Sequence, residues 1–116
     1  DAIMLVRLPY HLSAITQAAA LAALRHRESL MQQVADLRDS RDALAHWLES
    51  RGLQVAQSDA NFIFFGRFDN RQDIFDKLLE RGVLIRVVGP DGWLRVSVGT
   101  PEENQQFMTA LEEVLS

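Results

Sequence analysis

The chain has 116 residues and a mass of 13.1 kDa, which sets a single domain as the expectation. Hydrophobic residues are 47% and charged residues 24%, the balance of a chain that can bury a core and not of a disordered one. A net charge of -4 argues against a nucleic-acid-binding surface, and the absence of Cys excludes disulfides, a thiol nucleophile and a thiolate metal site.

No apolar run approaches the ~20 residues that span a bilayer. The opening Asp-Ala-Ile-Met lacks the basic start of a signal peptide. The expectation is a cytoplasmic chain with no membrane or nucleic-acid partner. The first residue is Asp and not Met, so a piece of a longer protein is expected.

Residues 1–12 are apolar, and Pro9 disfavours helix at Leu8, which makes this an extended lead-in. Ser13 is suited to cap a helix over 14–25, where six Ala and no Gly or Pro give strong helix propensity. The small side chains on nearly all its faces suggest close packing by neighbours, or a helix that crosses under another domain. A polar joint, His26-Arg27-Glu28-Ser29, ends or bends it. Leu30, Val34, Leu37, Leu44 and Leu48 then fall at helical spacing, with Arg41 in one seam position, and predict an amphipathic helix over 29–51 stopped by Gly52.

After Gly52 the period changes. Residues 54–56 form a short, weak strand, and Asn61–Phe65 a buried one rich in β-formers. Asp69 or Asn70 caps a helix over 71–81 that carries Ile74, Phe75, Leu78 and Leu79. Val83–Val88 is the next strand. Gly89-Pro90-Asp91-Gly92 is a turn, with Pro90 and Asp91 at its centre. The strand that follows it, 93–98, puts Leu94, Val96 and Val98 on one face and Trp93, Arg95 and Ser97 on the other. Thr100-Pro101-Glu102-Glu103 is a capping box that opens a last helix burying Phe107, Met108, Leu111, Val114 and Leu115.

Strand 93–98 can lie between strands 61–65 and 84–88, antiparallel to both. The fold class is therefore α+β, a small and mostly antiparallel sheet with helices packed on one face.

Few residues carry recognisable chemistry. The His at 11, 26 and 46 lack metal-ligand spacing, and no phosphate-binding Gly motif or nucleophile elbow is present. Lys77, the only Lys, reads as a solvated helix residue. Asn61, at the head of a buried strand, reads as a turn or capping group. Tyr10, the only Tyr, reads from spacing alone as an aromatic packed at a domain edge.

The hairpin says more. With Pro90 and Asp91 central, paired residue numbers sum to 181, and Arg86 faces Arg95. Facing cations about 5 Å apart repel by ~0.8 kcal/mol in water and ~3 kcal/mol at an effective dielectric of 20. A bound anion would turn that repulsion into affinity, because guanidinium forks match carboxylate and phosphate. The competing reading is that each Arg pairs with an acid of the same domain, or that the register slips by one.

Several stretches together resemble the C-terminal part of histidinol-phosphate aminotransferases, closest to the actinobacterial ones. They are Arg7–Gln17 (RLPYHLSAITQ), Ser58–Phe62 (SDANF), Gly82–Arg86 (GVLIR) and Trp93–Asn104 (WLRVSVGTPEEN). The likeness runs over essentially the whole chain, and the LRVSVGT and EEN block is its most specific part.

The resemblance implies the small domain, with its leading segment, of a fold-type-I aminotransferase that uses pyridoxal 5'-phosphate. A large domain outside this chain would carry the Schiff-base Lys and most cofactor contacts. The implied reaction converts histidinol phosphate and 2-oxoglutarate to imidazole-acetol phosphate and glutamate, a step of histidine biosynthesis, in a cytoplasmic homodimer. By the same likeness Arg95 grips the substrate carboxylate and Arg86 helps hold the substrate's anionic end. Tyr10 lies near the substrate entrance. The fragment alone would be inactive. Family members often carry Asp where this chain has Val87, which keeps an aromatic amino-acid aminotransferase as an alternative. A non-enzymatic anion-binding α+β module is the other.

Overall fold

The computed structural model describes Ala2 and residues 12–116. Within it are four helices, α1 (Ala14–Arg25), α2 (Arg27–Ser50), α3 (Arg71–Glu80) and α4 (Pro101–Leu115), and three strands, β1 (Gln54–Val55), β2 (Phe62–Gly66) and β3 (Trp93–Ser97). They fall into two compact units, Asp1–Gln33 and Val34–Ser116.

In the first unit Ser13 caps α1: its hydroxyl accepts from the Thr16 N–H at 3.1 Å. The helix buries none of its residues, and Ile15, Leu21 and Leu24 are exposed. Among the described residues propensity and capping support α1, and no neighbour there covers its small side chains. The joint after it shrinks to His26, and the next helix starts at Arg27, two residues before the expected position.

The second unit holds the core. The sheet order is β1-β2-β3, antiparallel throughout. One sheet face carries Ile63, Phe65, Leu94 and Val96. Leu44 and Leu48 of α2, Leu78 of α3, and Phe107 and Leu111 of α4 join them in one buried cluster. Helices therefore cover one face, as the α+β pattern requires. Leu30, Val34, Leu79 and Leu115, periodic in the sequence, are exposed. Arg41 is buried in the seam and bonds to Asp42 through Nε at 2.9 Å.

The last helix begins as its sequence dictates. The Thr100 hydroxyl accepts from the Glu103 N–H at 3.3 Å, and the Glu103 carboxylate accepts from the Thr100 N–H at 2.8 Å. Pro101 takes the position where no N–H is needed. Asn104, buried, donates to the Gly99 carbonyl and accepts from its N–H, so the bend after β3 is satisfied by one side chain.

Two expectations need correction. Val83–Val88 is not a strand: it joins the sheet only through the single bridge Arg86↔Arg95. The main chain explains why. Arg95 exchanges both its bonds with Arg86, so Trp93, two residues away, aims its N–H and C=O at the same edge. Both are already taken: the Trp93 N–H donates to the Pro90 carbonyl at 3.1 Å, and its C=O accepts from Arg71 at 3.4 Å. No group is left to pair with Val88. The turn accordingly closes one residue later than expected, over 90–93 with Asp91 and Gly92 inside it, and Gly92 at φ 82°. The second correction concerns β2. It is not buried on both faces: Phe62 and Phe64 are half-buried on the face away from the helices.

Candidate functional site

The face of the sheet that the helices leave uncovered gathers Phe62, Phe64, Trp93, Arg95 and Ser97, with Arg86 at its edge. Arg95 lies directly opposite Phe64 in the β2–β3 register, and Arg86 lies directly opposite Arg95 across the bridge. The bridge is a doubly bonded pair, each N–H donating to the other's C=O at 2.9 Å. Directly opposed residues share a face, so both guanidinium groups rise from the same side. The register sum of 181 expected for this pair holds.

Arg95 is fixed from below. Its guanidinium carbon sits 4.8 Å from the centre of the Phe62 ring, a cation–π stack. The Phe64 ring meets Phe62 edge-on at 5.7 Å and 87°, which steadies the platform. The Arg95 Nε is buried and has no hydrogen-bond partner among the described residues. Leaving such a donor unpaired costs about 1–3 kcal/mol. Among the described residues neither Arg95 nor Arg86 forms an ion pair, although six other pairs exist. The competing reading, in which an internal acid neutralises each Arg, fails for those residues. What remains is a cationic pair at a sheet edge, one member stacked and half-buried, the other exposed. Such an arrangement can take a carboxylate or a phosphate in two charge-assisted forks.

The other sequence candidates fall elsewhere. Tyr10 and His11 lie outside the described residues. Asn61 is exposed and acts through its main chain, its C=O accepting from the Val98 N–H at 2.9 Å. Lys77 pairs with Asp73 at 2.7 Å on the outer side of α3. His46 lies 3.7 Å from Glu49, and His26 caps α1. No group of three or more His, Asp or Glu suited to a metal occurs among the described residues.

Two contributors were not singled out in the sequence. Phe62 carries the Arg95 stack, and only the period of two along a strand, hidden within the apolar run Phe62–Phe65, places it on the Arg95 face. Arg71 reaches across to the 89–93 turn, a contact 18 to 22 residues away with no local signature.

A family model described as aminotransferase class I and II matches residues 1–111. The chain belongs to the class I and II aminotransferases. Among its relatives, the histidinol-phosphate aminotransferase of Thermobifida fusca (strain YX) is 60% identical over 111 residues, covering 96% of this chain and 30% of that protein. The histidinol-phosphate aminotransferase of Bifidobacterium longum (strain NCC 2705) is 56% identical over 121 residues, covering 99% and 31%. A solved structure from Burkholderia pseudomallei K96243, assigned as an aminotransferase, superposes with a TM-score of 0.76 at 28% identity over 82% of this chain and 30% of its own. The chain thus spans about 30% of the length of these aminotransferases.

Aminotransferase chemistry uses pyridoxal 5'-phosphate held through a lysine imine. The described residues do not fit that role. The only lysine, Lys77, is committed to Asp73 on a solvated helix face, 18 residues in sequence before Arg95 and on a different element.

Proposed function

We propose that this chain is the C-terminal, substrate-anion-binding domain of a histidinol-phosphate aminotransferase, with its leading segment, and that the remainder of the enzyme supplies pyridoxal 5'-phosphate and its lysine. The observation that carries this is the pair Arg86–Arg95, two cations facing across one bridge that form no ion pair among the described residues, with the buried Arg95 Nε lacking a hydrogen-bond partner there. A sheet keeps such a pair at a cost in stability, and an incoming anion offsets it.

The implied substrates differ in the anion they bring. Glutamate and 2-oxoglutarate carry carboxylates; histidinol phosphate and imidazole-acetol phosphate carry a phosphate monoester. A guanidinium fork accepts either, and two forks hold it at a defined distance from the reacting carbon, which is the positioning that transamination needs. Arg95, stacked on Phe62, is the half-buried fork and Arg86 the exposed one. Tyr10, outside the described residues, is assigned to the substrate entrance by the resemblance alone. The names of the relatives support histidinol phosphate over an aromatic amino acid, which would lack a phosphate for the second fork. The reading also carries the homodimer and the cytoplasmic location that the resemblance implies. Half-buried Phe64 and Trp93, beside the Arg pair, suit contact with the rest of the enzyme.

In the full-length protein, Arg95→Lys keeps the charge and loses the fork. The expected result is a rise in KM for glutamate and for histidinol phosphate of about tenfold or more. Unchanged KM for both would contradict the assignment. The 116-residue chain with added cofactor is expected to show no transamination, because it has no lysine placed to form the imine.

A further inference from the structure

We propose that Arg71 is a positioning residue for the Arg86–Arg95 pair, acting in place of the ladder rung that the sheet lacks; this rests on the reading that the pair binds the substrate anion. Arg71 opens α3, just after the Asn70 cap, and its side chain leaves the helix for the 89–93 turn. Its Nη1 donates to the carbonyls of Pro90 at 2.8 Å, Gly89 at 3.3 Å and Trp93 at 3.4 Å, and its Nη2 stands 3.6 Å from the Asp91 carboxylate.

The consequence follows from the register. An antiparallel ladder would continue from the Arg86–Arg95 bridge to a bonded pair between Val88 and Trp93. That rung is missing, because the Trp93 C=O accepts from Arg71 and its N–H donates to the Pro90 carbonyl in the turn. Arg86 is therefore held opposite Arg95 by two main-chain bonds and by the packing of its neighbours Ile85 and Val87 on the core, against the repulsion of two like charges. Arg71 ties both arms of the turn together, Gly89 and Pro90 on one side and Trp93 on the other. The turn is held at two further points. The Gly92 C=O accepts from the Phe68 N–H at 2.8 Å, and Gly89 lies so near the Phe64 ring that an added Cβ would meet it at 2.7 Å. These fix the turn to β2. Among the described residues only Arg71 links its two arms through side-chain hydrogen bonds, in addition to the main-chain bond from the Trp93 N–H to the Pro90 carbonyl, and so it helps set where Arg86 stands relative to Arg95. Arg71 touches no reacting atom.

The test uses the full-length enzyme and three variants, Arg71→Met, Arg71→Lys and Arg95→Lys. Main-chain hydrogen exchange over residues 84–92 should speed up about tenfold in Arg71→Met while exchange over β2 stays unchanged. KM for histidinol phosphate should rise about fivefold with kcat changed less than twofold, and Arg71→Lys, which can still reach the Pro90 carbonyl, should recover part of the KM. A general loss of packing would instead lower kcat and speed exchange throughout, and that result overturns the proposal. Unchanged exchange over 84–92 overturns it as well. So does faster exchange with unchanged KM in an enzyme whose Arg95→Lys variant does raise KM. If Arg95→Lys leaves KM unchanged, the anion-binding reading fails, and the link from Arg71 to the bridge is then judged on exchange alone.

Discussion

Arg95 shows how a single side chain can be destabilising in isolation and informative for that reason. It faces a second cation, keeps one donor buried and unpaired, and is stabilised mainly by the Phe62 ring. Both Arg residues were legible in the sequence, since they interrupt apolar strands and a tight turn sets their register. Phe62 was less so, because a run of four apolar residues hides its alternation. Backbone positions are under equal constraint. Gly66 sits at φ 138°, and a Cβ there would lie 2.5 Å from the Gly92 carbonyl oxygen. Gly66→Ala is expected to lower stability by about 1–3 kcal/mol, read as a lower urea midpoint with an unchanged slope. No loss of stability would mean that β2 and the turn are not in the contact described. Nothing about Gly66 distinguished it in the sequence, because its neighbour Gly92 arrives through a fold-level contact.

At the scale of elements, local signals settled the helices and non-local ones settled the sheet edge. Ser13, Asn70 and the Thr100–Glu103 box each cap the helix that their residue types foretold. The expected Val83–Val88 strand did not form a ladder, although its composition is that of a strand. Its failure lies in the main-chain groups of Trp93, which the turn and Arg71 occupy, and no property of residues 83–88 themselves reveals that. The capping box gives a direct check of the local argument. Thr100→Ala should cost about 1 kcal/mol, measured by chemical denaturation, while Thr100→Ser should cost little. Equal losses in both variants would assign the effect to the Thr100 methyl group and not to its hydroxyl.

For the whole molecule, the second unit builds a core of its own around Leu48, Ile63, Phe65, Leu78, Leu94 and Leu111, all fully buried. Phe65→Ala is expected to destabilise this unit by about 3–5 kcal/mol in thermal or urea unfolding, since Phe65 contacts Phe68 and Phe107 edge-on in its centre. The described residues of the first unit bury no such core, and the sequence reading of α1 as packed by neighbours or under another domain came from composition, which reports propensity and not the neighbour that satisfies it. The family was readable from its motifs, and Lys77, read from the sequence as a solvated helix residue, pairs with Asp73 in the structure. The most direct measurement is a crystal structure of the full-length enzyme with histidinol phosphate bound. The account predicts the phosphate oxygens at about 2.7–2.9 Å from the guanidinium nitrogens of both Arg95 and Arg86. A phosphate bound elsewhere, with Arg86 and Arg95 each paired to an acid, would contradict it.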